Sequence, residues 1–160
     1  MIKEASFMTT SMTLRLDDYL PYRLAVASSA VSGLIATAYE SLYGLKIPEW
    51  RIVAILSEDG PSTQQSLVKR GGMDKVTVSR AAQALVKRRL ITRAPHEFDG
   101  RSHHLILTKE GERLFDDIAP AAIEYERLML ADMSPEEVQT LKSLLRRVQE
   151  GAQKVQNRDS

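Results

Sequence analysis

Cysteine is absent from the 160 residues. That excludes disulfides, thiol-based redox switching and thiolate metal sites, and it suits a cytoplasmic protein. No apolar run approaches the ~18 residues that a membrane span needs. The opening stretch MIKEASFMTTSMTLRLDDYL carries an early Glu and no apolar core, which is not the pattern of a signal peptide. Residues 1–15 are expected to form a flexible arm, with Met8 or Met12 as alternative starts. A nucleophile–base motif, a Gly-rich phosphate loop and a supported pair of catalytic acids are also missing, so neither catalysis nor a cofactor is expected.

Net charge is only +1, but it is unevenly spread. From Lys69 to His104 there are nine basic residues (Lys69, Arg70, Lys75, Arg80, Lys87, Arg88, Arg89, Arg93 and Arg101) against the three acids Asp74, Glu97 and Asp99. This surplus of six leaves the rest of the chain with a deficit of five. A basic segment in a near-neutral protein marks an anionic partner, nucleic acid first, although a solvated charged face has the same composition.

Apolar residues from Leu20 to Leu42 recur as Leu20, Leu24, Ala27, Val31, Leu34, Ala38 and Leu42, predicting one amphipathic helix closed by Gly44. Small residues from Ala25 to Ala38 would let another helix approach it closely. A second helix is predicted from Pro48 to the Asp59-Gly60-Pro61 stop. A short third helix is expected to open at Ser62 with Gln65 as capping partner, and to break at Gly71-Gly72. Asp74 caps a fourth running to about Arg89. Its Val78, Ala81, Ala82, Leu85 and Val86 share one face, while Val76, Thr77, Arg80, Gln83 and Lys87 share the opposite arc.

Two partly apolar runs then flank Glu97-Phe98-Asp99-Gly100-Arg101, a hairpin signal centred on Asp-Gly. Thr108 caps a fifth helix that Pro120 is expected to bend. Ser134-Pro135-Glu136-Glu137 starts a sixth, which is expected to bury Val138, Leu141, Leu144, Leu145 and Val148 before fraying into QKVQNRDS. The fold class is therefore mainly α with a small β-hairpin wing. Two short helices joined by a tight Gly-containing turn and followed by a hairpin make a winged helix-turn-helix.

The stretches GLKIPEWRIVAIL, GPSTQQSLVKR, VTVSRAAQALVKRRLITR, DGRSHHLILTKEG and MSPEEVQTLKSLLRRV, in that order, resemble the MarR family of bacterial transcriptional regulators over nearly the whole chain. The chain departs from that family at Lys46 and Ile47, where Thr or Ser is common, and at Arg89, where Gly is common. The resemblance implies a homodimer with interleaved terminal helices and two winged-helix lobes. Residues 16–47 and 112–156 would form the dimerisation region, and 48–111 the DNA-binding domain. It also implies a regulator of double-stranded DNA, a repressor by expectation, released by a small aromatic or anionic ligand. An architectural DNA binder and a winged-helix protein-interaction module are the alternatives.

Arg80 suits a bidentate contact to guanine and Gln83 one to adenine, with Val76 and Thr77 meeting a thymine methyl or a phosphate. Lys69, Lys75, Ser79, Lys87 and Arg88 complete this expected DNA-facing set, the cations suiting phosphate contacts. Ser62, Thr63 and Gln64 begin the third helix, where backbone N–H groups can hold a phosphate. Asp99 and Arg101 match the family's Asp-x-Arg wing motif, which implies an arginine in the minor groove braced by the aspartate. His96, His103 and His104 cluster nearby. His103 and His104 point to opposite strand faces, so no metal site is expected. For the ligand, the resemblance points to the junction of dimer helices and lobe, with Tyr19, Tyr22, Arg23, Tyr39, Tyr43, Trp50 and Arg51 as candidates. Core and interface packing explains each aromatic equally well.

Overall fold

The computed structural model describes residues 13–95 and 103–158. His96, Asp99, Arg101 and the rest of the expected hairpin tip lie outside the described residues. The elements run α1 (Leu20–Ala36), α2 (Glu40–Tyr43), α3 (Ile47–Asp59), α4 (Gln64–Gly71), α5 (Lys75–Lys87), β1 (Ile91–Pro95), β2 (His103–Leu107), α6 (Lys109–Met129) and α7 (Pro135–Gln156). Two compact units divide at Leu34, inside the last turns of α1.

The first unit holds a single 3-10 turn, Leu16–Asp18, and most of α1. Along α1 only Ala36 is buried, while Leu20, Tyr22, Val26 and Val31 are exposed.

In the second unit the first correction to the sequence reading appears. The stripe from Leu20 to Leu42 is not one helix, because the chain turns at Thr37–Tyr39 before the four-residue α2. Tyr39 leaves helical geometry, with φ −136°, and is buried, its ring stacked on Trp50 at 5.5 Å. Trp50 stacks in turn on Phe115 at 5.6 Å, so three aromatics tie the α2 entry, α3 and α6 together. Gly44 closes α2 in the left-handed region at φ 61°, as its place after the helix requires.

Helix α3 starts where expected. Pro48 occupies its first turn, and the Glu49 carboxylate accepts from the Lys46 backbone N–H at 3.1 Å. It packs against α4, α5, α6 and β2. Ile52 and Val53 on α3, Leu67 on α4, Val78 and Leu85 on α5, Ile91 and Leu105 on the strands and Ile118 on α6 are essentially inaccessible. Burying each such side chain contributes roughly 1.5–3 kcal/mol.

The third helix starts one residue later than expected. Thr63, not Ser62, is the cap, its hydroxyl oxygen accepting from the Ser66 N–H at 3.1 Å. Ser62 instead bridges to β2. Its N–H donates to the Leu105 carbonyl at 3.1 Å, its carbonyl accepts from Leu105 N–H at 2.8 Å, and its hydroxyl donates to the Gly60 carbonyl. β1 and β2 are antiparallel, with Ile91 opposite Leu107 and Pro95 opposite His103.

The passage from α5 to β1 has the hydrogen bonds of a Schellman turn. Arg89 N–H donates to Val86 O at 2.9 Å and Leu90 N–H to Leu85 O at 3.0 Å. Such a turn needs a left-handed residue, and Arg89 supplies it at φ 59°. This gives the common glycine at that position a physical meaning, and it gives this chain a strained arginine. Thr108 locks the same corner by donating its hydroxyl to Arg89 O at 2.7 Å and accepting from Gly111 N–H at 3.1 Å. Gly111 must be small, since a Cβ there would lie far closer to the Leu90 carbonyl oxygen than van der Waals contact allows.

Helix α7 carries the complete expected capping box, with Ser134 and Glu137 each bonded to the other's N–H. Its end differs from expectation, because the helix continues to Gln156 instead of fraying at Gln153. Its apolar stripe also differs. Leu141, Leu144, Leu145 and Val148 are 39–47% exposed, so they stay uncovered among the described residues.

Candidate nucleic-acid interface

Helix α5 is held at both ends and along one side. Asp74 caps it, accepting from the Thr77 N–H at 2.8 Å and the Thr77 hydroxyl at 2.7 Å. These two bonds, the backbone one first, hold the Asp74 carboxyl below its ordinary pKa. Val78, Ala81, Ala82 and Leu85 are buried, which leaves the opposite arc outward. There Val76, Arg80, Gln83 and Lys87 are exposed at spacings of four, three and four, forming one stripe. Lys75 is exposed beside it, and Ser79 and Thr77 are half-buried at its edge. The Gln83 amide lies at 3.5 Å from the Ser79 hydroxyl.

Lys69 is exposed on the last turn of α4, whose first turn carries Gln64 and the capping Thr63. Ser62 is apart from this set: buried, with both backbone groups bonded to Leu105, it serves the sheet. Among the described cations of this segment, Arg70 and Arg88 are engaged elsewhere. Arg70 pairs with Asp59 at 3.1 Å and Glu58 at 3.3 Å. The Arg88 guanidinium donates to the carbonyls of Tyr43 and Gly44. That long-range destination left no signal in the sequence.

The expected ligand residues divide. Tyr19, Tyr22 and Arg23 belong to the first unit and are exposed. In the second unit Tyr39 and Trp50 are committed to the aromatic stack, and Arg51 donates to the Gly71 carbonyl at 3.4 Å, closing the end of α4. Burial raises the Tyr39 phenol pKa, Glu40 adds to the rise and Arg51 opposes it. Tyr43 remains half-buried. Sequence reasoning passed over a cavity of about 240 Å³ lined by Lys46, Pro48, Glu49, Thr77, Arg80, Ala81 and Ala84. Its walls come from two helices about thirty residues apart, so spacing could not bring them together.

His103 is exposed and His104 half-buried at the wing end of β2. Among the described residues no helix is long and apolar enough to cross a membrane.

Residues 43–102 match the MarR family model. The HTH-type transcriptional repressor NicR of Pseudomonas putida is 29% identical over 93 residues, spanning 58% of this chain and 59% of NicR. The crystal structure of a probable transcriptional regulator from Pseudomonas aeruginosa is 33% identical. The match covers 84% of this chain and 99% of that one, with a TM-score of 0.74. A MarR/EmrR family transcriptional regulator from Acinetobacter sp. ADP1 superposes with a TM-score of 0.81 at 26% identity, covering 88% and 99% of the two chains. The exposed α5 stripe, the wing that follows it and these likenesses make one case: the chain belongs to the MarR family of winged-helix DNA-binding transcriptional regulators.

Proposed function

We propose that the protein acts as a homodimer that represses transcription from a pseudo-palindromic operator, in the cytoplasm. The observation that carries this reading is the α5 stripe Val76, Arg80, Gln83 and Lys87, turned outward on a helix whose other face is fully packed. A rigidly seated helix presenting a guanidinium, an amide, a methyl-bearing side chain and an ammonium matches the major-groove edge of a short DNA sequence. Lys69 and Lys75 flank the stripe for phosphate contacts. Asp99 and Arg101 would carry the wing contact in the minor groove. The uncovered stripe of α7 supplies the reason for two copies, which would place two α5 helices in half-sites ~10 bp apart. In this arrangement 1–15 is the arm, 16–47 and 112–156 dimerise, and 48–111 reads DNA.

A small anionic ring compound is the proposed releasing ligand. The cavity beside Lys46 and Arg80 suits it, because a carboxylate there would draw the Arg80 guanidinium away from a guanine edge. DNA release then follows from binding a conformation that cannot fit the groove. Of the second unit's sequence candidates, Tyr43 is not part of this cavity's lining, and Tyr39, Trp50 and Arg51 act as structural residues.

Selection of bound duplexes from a randomised library, followed by affinity measurement at fixed salt, tests the reading. A specific site should be bound at least about a thousandfold more tightly than random duplex. Arg80→Ala should lose about 1–3 kcal/mol and relax the preference at one base pair. An Arg80→Ala variant with wild-type affinity and preference would sink the assignment.

A further inference from the structure

Arg88 stands at the C-cap of α5, where its N–H donates to the Ala84 carbonyl. Its side chain leaves the helix for the end of α2. Nη2 donates to the Tyr43 carbonyl at 2.6 Å and Nη1 to the Gly44 carbonyl at 3.3 Å. Carbonyls at a helix C-terminus lack partners within their own helix and sit at the negative end of its dipole. A planar guanidinium fork can span two such acceptors, as a lysine ammonium cannot with the same geometry.

We infer that Arg88 is a positioning residue for DNA binding: it fixes the C-terminal end of α5 to the α2–α3 connection and does not itself contact phosphate. The inference rests on the DNA reading proposed above. The Asp74 carboxylate bonds to Thr77, three residues away within the first turn of α5. Arg88 reaches 44 and 45 residues back along the chain. It is thus a hydrogen-bonded strut from the exposed end of the recognition helix to a different part of the unit. Base readout needs side chains held to about 0.5 Å, so loss of the strut is felt at Arg80, Gln83 and Lys87 together.

The test uses the full-length protein and one duplex that the wild type has selected from a randomised library. Affinity is measured from low to moderate salt for wild type, Arg88→Lys and Arg88→Ala. Amide hydrogen exchange is followed at Gly44, whose N–H donates to Glu40 O, and at Leu45, whose N–H donates to Tyr39 O. A strut predicts that both variants bind about tenfold more weakly or worse, with the wild-type salt slope, and that Gly44 and Leu45 exchange faster in the free proteins. Lysine retention of affinity, with alanine lowering the slope by about 0.9 for each lost phosphate contact, would overturn the inference in favour of direct contact. Faster exchange with unchanged affinity would overturn it in favour of a local structural role. A wild type that selects no duplex would overturn the DNA reading, and the inference with it, before any variant is made.

Discussion

Helices α5 and α7 are built on the same amphipathic pattern, yet α5 buries Val78, Ala81, Ala82 and Leu85 in 13 residues while α7 buries nothing in 22. The difference is one of cover and not of sequence. Helices α3 and α4 and strand β1 close over α5. Leu141, Leu144, Leu145 and Val148 of α7 find no such cover among the described residues. An apolar stripe therefore says that a partner surface is needed without saying which chain supplies it. In α5 the covered face gives the helix one orientation, and function is left to the polar arc. In α7 the apolar arc is left uncovered, and it is the proposed subunit contact.

The largest expected effect breaks the comparison at α7. Leu145→Asp would bury an unpaired carboxylate in the proposed subunit contact and raise the dimer dissociation constant at least about a hundredfold. Sedimentation should show monomers with helical content close to wild type. A variant that sediments like a dimeric wild type, or a wild type that is monomeric at the same concentration, would mean that the exposed stripe serves something else.

Gly111→Ala strikes the self-covered region instead. The added methyl meets the Leu90 carbonyl at the corner that Thr108 locks, so chemical denaturation should show a loss of about 3 kcal/mol. Paired with Leu145→Asp it separates a lesion of the fold from a lesion of assembly.

Arg89→Gly should run the other way. Relief of the left-handed strain at φ 59° outweighs the greater freedom glycine gives the unfolded chain, for a net gain of roughly 0.5 kcal/mol in the same assay. A loss of stability would show that the Arg89 side chain makes a compensating contact.

Asp74→Asn is the subtlest. The folded carboxyl has a depressed pKa, so its contribution is present above the unfolded pKa and disappears as pH falls through the folded one. Melting temperatures of wild type and variant should differ by a constant small margin near neutrality. The margin should close below about pH 4. A gap that widens with acid would contradict the cap as the source of the shift.

Much of the fold was legible because its signals are local. Thr108 with Gly111, Ser134 with Glu137, and Asp74 with Thr77 each close a bond three residues along the chain, so the pattern and the bond share one short stretch. The same locality misled at the first helix. Ala38 and Leu42 keep the phase of the stripe, so periodicity ran straight through Tyr39, whose buried ring stacks on Trp50, itself stacked on Phe115. Ser62 reads as a cap by type, but its backbone is claimed by Leu105, 43 residues away.

At the interface, the amino-acid order by itself determined the outward arc of α5, since 100° per residue places Val76, Arg80, Gln83 and Lys87 opposite a Val-Ala-Ala-Leu face. It also determined the helix starts and the basic surplus around them. Only the tertiary structure decided which cations stay outward. Arg70 closes on Glu58 and Asp59, Arg88 reaches Tyr43 and Gly44, and Arg51 reaches Gly71. A cation is claimed by whichever acceptors folding brings within hydrogen-bond range, and those acceptors lie 11 to 45 residues away. Distances of that kind are set by packing, so no reading along the chain contains them.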